Sequence, residues 1–308
     1  MYVNCIQMYF LTAKKTNYVF GRHRPLNCIA FLIFEVMLAD KTSRIKIQHH
    51  TISSEFLERD VLVDCYLPHH SKDHAHINLL LINDGQDLRT MKFEDILGNL
   101  EKGHLVEPLF CVGIHCAPDR KNEYGTAKIL DYKGRGAKAS LFTRFVMEEL
   151  LPYLRLTYRI YSFKQKAFAG FSLGGLCALD IVWNHPQEFS IAGAFSGSFW
   201  WRDMDQDDPE FDEEINRIMH RQVREGGYYP WLRFFFEVGT KDETADRNNN
   251  GIIDSIDDTL SLIRELNLKG YEDGRDICYL ELSEGKHDVP TWAEAFPAFL
   301  TWGWGKAK

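Results

Sequence analysis

The chain has 308 residues, and its 44 acidic against 36 basic side chains give a formal net charge of −8 at pH 7. This length can bury one large core, while a sequence pI of about 5.8 argues against a nucleic-acid-binding surface. The seven cysteines show no paired C-x-x-C spacing, which favours reduced thiols and a cytoplasmic location.

The first 40 residues differ in character from the rest. Arg22-His23-Arg24 precedes the apolar run Cys28–Phe34, which resembles the start of a secretion signal. Glu35 interrupts that run, which is also shorter than the ~20 residues of a membrane span. We expect residues 1–40 to be a poorly structured leader or a misassigned start, and residues 41–308 to form one domain. If the segment is a signal, the protein is exported instead.

The next segments alternate between strand and helix patterns. Arg44–Phe56 and Asp60–Leu67 alternate in polarity and predict an antiparallel pair at a sheet edge. Ile77–Ile82 and Phe110–His115 are continuous apolar strands, and Leu141–Tyr158 has the period of an amphipathic helix. Short links between such elements predict an α/β fold, with a mostly parallel central sheet and helices on both faces.

A serine between glycines follows the next predicted strand, Lys166–Ala169. The turn reads Gly170-Phe171-Ser172-Leu173-Gly174 and leads into a helical pattern, which is typical of a nucleophile elbow. The serine there is strained, so its neighbours must be small. The first N–H groups of the helix favour a developing negative charge. Ser172 is the predicted nucleophile, and the N–H of Leu173 a predicted oxyanion donor.

Two later strands each lead to a possible partner of this serine. Asp242 follows Leu232–Gly239, and His287 follows Ile277–Leu282. Serine is a weak nucleophile, so a histidine must take its proton and an acid must orient that histidine. His287 could instead be a solvated loop histidine, but its position directly after a strand favours catalysis. The acids that compete with Asp242, all farther from the strand end, are Glu243, Asp246 and Asp254.

Aromatic residues are concentrated after the strand predicted at Ser190–Ala194. They include Phe199-Trp200-Trp201 and Tyr228-Tyr229, in a region that often caps the site in folds of this kind. They could hold a substrate, but packing of a cap helix predicted at Glu210–Arg224 is the preferred interpretation.

An insertion beyond Asp242 has the spacing of a calcium loop. In Asp246–Asp257, oxygen-bearing residues occupy positions 1, 3, 5, 9 and 12, with glycine at position 6, as in an EF-hand. The alternative is an Asn-Gly turn that needs no metal. A bound calcium would brace the loop that carries Asp242, while catalysis itself would require no cofactor. The candidate ligands are Asp246, Asn248, Asn250, Ile252, Asp254 and Asp257.

These motifs together resemble the putative-esterase family of α/β-hydrolases, which includes S-formylglutathione hydrolases, enterobactin esterases, feruloyl esterases and mycolyltransferases. The resemblance runs from about Ile77 to the end of the chain. It implies the α/β-hydrolase fold, a triad of Ser172, Asp242 and His287, and an oxyanion N–H from Gln86 beside that of Leu173. The matching segments, besides the elbow, are Leu79–Asp87, Ala117–Tyr124, Asp131–Gly136, Glu149–Leu154, Gly239–Asp242 and Gly285–Asp288.

The predicted function is therefore that of a serine esterase, which hydrolyses a carboxylic ester through an acyl-enzyme. An acyltransferase or a thioesterase could use the same triad and would differ in the nucleophile that meets the acyl-enzyme. A non-catalytic binding protein of the same fold is disfavoured, because every triad position is filled. The expected substrate is a small-molecule or carbohydrate-linked ester, and neither nucleic acid nor a membrane span is expected.

Overall fold

The molecule is built around a nine-stranded sheet. The computed structural model describes residues 45–68 and 77–306, together with the backbone of a short strand at 18–19. The strands are β1 (Tyr18–Val19), β2 (Lys46–Ser54), β3 (Arg59–Leu67), β4 (Asn78–Asn83), β5 (Leu109–Ile114), β6 (Lys166–Phe171), β7 (Ile191–Phe195), β8 (Arg233–Lys241) and β9 (Ile277–Lys286). Their spatial order is β1-β9-β8-β7-β6-β4-β5-β3-β2. The strands from β9 to β5 in that order pair in parallel, whereas β1, β2 and β3 pair antiparallel.

The burial of the strands follows their place in the sheet. Every residue of β4, β5 and β7 is buried, as expected for parallel strands that are covered on both faces. Strand β2, at one edge, alternates between exposed and more buried positions over much of its length. The mostly parallel sheet predicted from the sequence is confirmed, and the antiparallel pair lies at its edge.

Helices cover both faces of the sheet. One apolar cluster joins the sheet to helices from the middle of the chain, and a second joins it to two helices on the opposite face. The helices are α1 (Phe93–Lys102), α2 (Arg120–Glu123), α3 (Ala139–Arg144), α4 (Leu151–Tyr158), α5 (Leu173–Asn184), α6 (Glu213–Asn216), α7 (Ile218–Glu225), α8 (Asp254–Lys269) and α9 (Val289–Trp304). Helices α1 and α9 form the second layer.

Two helices are less regular than the sequence predicts. The segment predicted as one helix, Leu141–Tyr158, comprises α3, a π-helical stretch at Phe145–Leu150 and α4. Pro152 lies in the first turn of α4, and because proline has no N–H it interrupts the regular hydrogen-bond ladder. The predicted cap helix divides into α6 and α7 at Arg217, whose backbone is extended.

The predicted leader lies outside the described residues except for Tyr18–Val19, which pair antiparallel with Leu282 and Glu281 of β9. In the parts of the chain that the structure describes, no helix is long and apolar enough to cross a bilayer. The cysteines described there, Cys65, Cys111, Cys116, Cys177 and Cys278, are free thiols. The cytoplasmic location stays a prediction.

Candidate active site

Side chains at one edge of the sheet meet at the ends of four parallel strands. Ser172 follows β6, Ser196 follows β7, Asp242 follows β8 and His287 follows β9. The carboxyl ends of parallel strands lie on the same edge of a sheet, which is where ligands bind in open α/β folds. Residues far apart in the chain are thereby brought to one place.

Ser172 occupies a strained turn between β6 and α5. Its backbone has φ 55° and ψ −122°, a conformation that residues with a side chain rarely adopt. The turn closes tightly because a Cβ at Gly170 would lie 2.3 Å from the carbonyl oxygen of Gly174. At Gly174 a Cβ would lie 2.6 Å from Oδ2 of Asp84. The glycines predicted to be required at the elbow are therefore required by contact.

The structure brings His287 to Asp242 rather than to the competing acids. His287 Nδ1 lies 2.9 Å from Asp242 Oδ2. The carboxylate is 1% exposed and the imidazole 41%, so the acid is shielded while the base faces solvent. A carboxylate only accepts hydrogen bonds, so Nδ1 carries the proton and Nε2 is left as the acceptor.

The acids that compete with Asp242 have other surroundings. Asp254 accepts a hydrogen bond from the N–H of Arg247 at 2.9 Å, and Asp246 accepts from Gly251 at 2.9 Å. Burial raises the pKa of Glu243, which contacts Ser255. Of the four candidates, Asp242 is the one hydrogen-bonded to His287.

Ser172 and His287 line one cleft of about 340 Å³. Ser172 Oγ lies 3.4 Å from Ser198 Oγ, and the Ser198 N–H donates to the Ser172 carbonyl at 3.1 Å. The structure thus puts Ser198 beside the predicted nucleophile. The other residues that line the cleft are Asp84, Gln86, Asp87, Arg120, Phe171 and Trp292.

The turn after β4 is held against the elbow by Arg120. Its guanidinium forms a bidentate pair with Asp84, with N–O distances of 2.6 and 2.7 Å, and also donates to the Phe171 carbonyl at 3.1 Å. Asp84 itself is left-handed, with φ 58°. This contact fixes the predicted oxyanion turn relative to the strand that carries Ser172, a function that the sequence did not reveal for Arg120.

Gln86 and Leu173, the predicted oxyanion donors, lie on opposite sides of this contact. Gln86 lines the cleft, and its side-chain oxygen accepts from the Cys116 N–H at 3.2 Å, which holds the side chain against the neighbouring loop. Leu173 is the first residue of α5, so its N–H has no intrahelical acceptor. The part of these two N–H groups in an oxyanion hole stays a prediction.

The insertion predicted to bind calcium is organised by its own side chains. Asp246 accepts from the N–H groups of Asn250 at 3.1 Å and Gly251 at 2.9 Å. The side-chain amides of Asn248 and Asn250 both donate to Asp257 Oδ2 at 2.8 Å. Gly251 has φ 84°, so it needs the freedom of glycine. The Ile252 N–H donates to Asn250 Oδ1 at 2.8 Å.

Among the described residues no group of three or more His, Cys, Asp or Glu could hold a metal ion.

Three buried residues at the site were given no role from the sequence. Ser196 donates to Asp242, and Trp292 donates to Ser196. Glu237, 1% exposed, stands in the otherwise apolar run Phe234-Phe235-Phe236-Glu237-Val238 of β8. The charged residue in that run was a signal that could have been noticed, whereas the Ser196 and Trp292 contacts join separate elements.

A model of the esterase family, described as "Putative esterase", matches residues 54–302 of the chain. The chain belongs to this family. This match confirms the resemblance drawn from the motifs. Comparison with curated proteins gave no significant match.

Solved structures of other esterases share the fold of this family member. The enterobactin esterase FES from Shigella flexneri, in the presence of enterobactin, is 18% identical with a TM-score of 0.66 over 85% of this chain and 59% of that one. The siderophore hydrolase EstB from Aspergillus nidulans is 18% identical, with a TM-score of 0.60 over 86% and 96%. A ferulic acid esterase is also 18% identical, with a TM-score of 0.57 over 84% and 97%. The chain thus spans about three fifths of the Shigella protein.

Proposed function

We propose that this esterase cleaves a small-molecule carboxylic ester through a serine-bound acyl intermediate. The observation that carries the proposal is the pairing of His287 with the buried Asp242, at 2.9 Å, in a cleft that His287 shares with the strained Ser172. An acid that orients a histidine beside a serine is the arrangement that acyl transfer requires.

In the first half-reaction, Ser172 Oγ attacks the ester carbonyl carbon while His287 Nε2 accepts the hydroxyl proton. The carbonyl oxygen becomes an oxyanion, which the N–H groups of Gln86 and Leu173 stabilise. When the tetrahedral intermediate collapses, the carbon–oxygen bond to the alcohol breaks and His287 gives its proton to the departing alcohol. Asp242 stays ionised throughout and stabilises the imidazolium.

In the second half-reaction, water replaces the alcohol. His287 accepts a proton from water, the hydroxide attacks the acyl carbon, and Ser172 leaves with the proton that His287 returns. An acyltransferase or thioesterase would share the acyl-enzyme, differing in the acceptor or in the leaving group. Hydrolysis is preferred because the cleft walls carry charged groups, Asp84, Asp87 and Arg120, and a polar cleft admits water.

The proposal is tested by p-nitrophenyl acetate hydrolysis and by labelling with a serine-reactive phosphonate. We expect Ser172→Ala to lose both activity and labelling. Asp242→Asn should lower kcat by about 10⁴-fold, because the histidine then adopts the wrong tautomer. Glu243→Gln, which changes the neighbouring acid, is the matched control and should retain wild-type activity. Equal activity in the wild type and Ser172→Ala would contradict the proposed function.

We also propose that the loop Asp246–Asp257 binds calcium as a structural ion. Its donors are the carboxylate, amide and carbonyl oxygens of Asp246, Asn248, Asn250, Ile252, Asp254 and Asp257, and such hard oxygen donors suit calcium at this spacing. Two amides converge on Asp257, which shows that positions 3, 5 and 12 approach one another. The ion would brace the segment between Asp242 and α8 and take no part in the chemistry.

A further inference from the structure

The carboxylate of Asp242 has a second hydrogen-bond partner besides His287. Ser196 Oγ donates to Asp242 Oδ1 at 2.7 Å, while Oδ2 accepts from His287 at 2.9 Å. The Asp242 side chain is 1% exposed, so water cannot replace either contact. Each oxygen of a buried carboxylate needs a partner. With one oxygen held by Ser196, the carboxylate cannot turn away from the imidazole.

Trp292 determines the direction in which the Ser196 hydroxyl points. A serine hydroxyl has a single proton to donate, and the indole N–H of Trp292 donates to Ser196 Oγ at 2.9 Å. The serine proton is therefore left for Asp242. The Trp292 ring is itself fixed, because it stacks on Phe171 at 5.0 Å and meets the His287 ring edge-on at 5.4 Å.

The residue that makes this contact, Ser196, has a strained backbone. Its φ is 47°, in the left-handed region where glycine would be less strained. Its N–H donates to the Glu237 carbonyl at 2.7 Å, so β8 holds the residue in place. Ser196 is 2% exposed and lies behind the cleft. A polar side chain in a strained and buried position indicates a function that glycine cannot supply.

We propose that Ser196 is a positioning residue of the triad, which orients Asp242 through its hydroxyl, and that Trp292 acts through Ser196. The inference rests on the proposed function, since it requires Asp242 and His287 to act on Ser172. Neither residue donates or accepts a proton in the reaction. Their effect is on the orientation of the acid and hence of the base.

The test compares Ser196→Ala and Ser196→Gly with the wild type, using p-nitrophenyl acetate and phosphonate titration of active sites. Both variants lack the hydroxyl, and glycine also relieves the backbone strain. We expect each to lower kcat per active site roughly 10- to 100-fold with little change in KM, the range for losing a hydrogen bond to a charged group or an outer-shell partner. A large loss of kcat in Ser196→Ala that is absent in Ser196→Gly would mean that backbone strain, and not the missing hydroxyl, causes the loss. That result would overturn the proposal.

The pH profile separates positioning from a merely structural effect. Without the serine donor, the Asp242 carboxylate can turn away from the imidazole and stabilises its protonated form less, so the acid limb of kcat/KM should move to lower pH. The other titratable groups around the pair are unchanged in these variants: Glu237, Asp288, Glu294, Asp84, Asp87 and Arg120. If a Ser196 variant instead has fewer active sites that react with the phosphonate, while the acid limb of kcat/KM stays where it is in the wild type, the effect is structural. That result would overturn the proposal.

Matched controls lie at the opposite ends of strand β7 and helix α9. Ser190→Ala removes a hydroxyl that bonds the Lys166 carbonyl at 3.4 Å, beside the other end of β7. Trp304→Phe removes a buried indole N–H at the far end of α9 that has no hydrogen-bond partner among the residues that the structure describes. Both should retain wild-type kcat.

Trp292→Phe should lower kcat in the wild-type background and have little further effect in Ser196→Ala, because coupled residues are not additive. Additive losses would overturn the inference that Trp292 acts through Ser196. Equal activity in the wild type and Ser172→Ala would instead remove the proposed function itself, a result distinct from any of these.

Discussion

At the residue scale, the carboxyl group of Glu237 is the most unusual feature beneath the site. Its side chain is 1% exposed, and neither carboxyl oxygen has a hydrogen-bond partner among the described residues. Burial, and then the charge of Asp242, raises the pKa of Glu237 well above its usual value of 4.5. Glu237 therefore keeps its proton to a higher pH than an exposed glutamate does. Below its raised pKa it adds no second negative charge beside Asp242.

This burial predicts how stability depends on pH. The unfolded chain loses the Glu237 proton near its usual pKa of 4.5, while the folded protein retains it. The free energy of unfolding should therefore fall as pH rises above that value, by about 1.4 kcal/mol per pH unit until the folded group ionises. Glu237→Gln should abolish this contribution and become more stable than the wild type at higher pH.

The measurement is urea unfolding of both proteins between about pH 5 and pH 8, which starts just above the usual pKa of the unfolded carboxyl. Glu210→Gln, at an exposed glutamate, is the control and should follow the wild type. A difference between Glu237→Gln and the wild type that does not grow with pH would contradict the prediction.

Single residues were predictable where their chain position determined their place. Ser172 lies between glycines at a strand-to-helix turn, and Asp242 and His287 follow late strands, so the parallel sheet brings them to one edge. Ser196 and Trp292 were not predictable, because their hydrogen bond joins β7 to α9 and no local pattern specifies such a contact. The catalytic roles themselves remain predictions.

At the element scale, buried ion pairs join the cap to helix α8. Arg217, between α6 and α7, donates to Asp258 Oδ1 at 2.9 Å, and their side chains are 5% and 1% exposed. Arg247, from the predicted calcium loop, pairs with the same carboxylate at 2.5 Å and with Glu213 at 2.6 Å. The division of the cap helix at Arg217 therefore coincides with a guanidinium that is buried against α8.

Removal of the shared carboxylate should destabilise the protein. Asp258→Asn leaves two guanidinium groups facing a neutral amide in a buried site, and breaking one partner of such a pair costs about 3 kcal/mol or more. Urea unfolding would show the loss as a lower midpoint at similar slope. Asp207→Asn, at an exposed aspartate, is the control. A loss below about 1 kcal/mol, the value of a surface pair, would contradict the prediction.

The position of the break in the cap could not be predicted from local sequence. The pattern of Glu210–Arg224 is helical, but Arg217 meets Asp258 from a segment much later in the chain. In contrast, Pro152 could have indicated the irregular start of α4, because proline has no N–H to donate to the hydrogen-bond ladder of a longer continuous helix.

At the scale of the whole molecule, the sheet was the most predictable feature. Continuous apolar strands alternating with helical segments can bury both faces only between two helical layers, and the observed layers agree. The two-residue strand β1 was not predicted. Its pairing with β9 is a contact between distant parts of the chain, and no periodicity accompanies so short a segment.

The calcium proposal makes a prediction about the stability of the whole fold. Calcium that binds only the folded state raises the melting temperature, and excess chelator lowers it. We expect this shift in the wild type and its loss in Asp246→Ala, which removes the carboxylate at position 1 of the loop. Asp207→Ala, outside the loop, should keep the shift. An unchanged melting temperature in the wild type with chelator and with added calcium would exclude the ion.

The parallel order of the sheet also has a consequence for refolding. Ser172 lies at the end of β6 and His287 at the end of β9, and β7 and β8 must be inserted between them before the two can share a cleft. Pairing of such non-local strands is slow compared with helix formation. Ester hydrolysis should therefore recover only when the complete sheet has assembled. Helical circular dichroism should recover earlier, so catalytic activity reports the last stage of refolding.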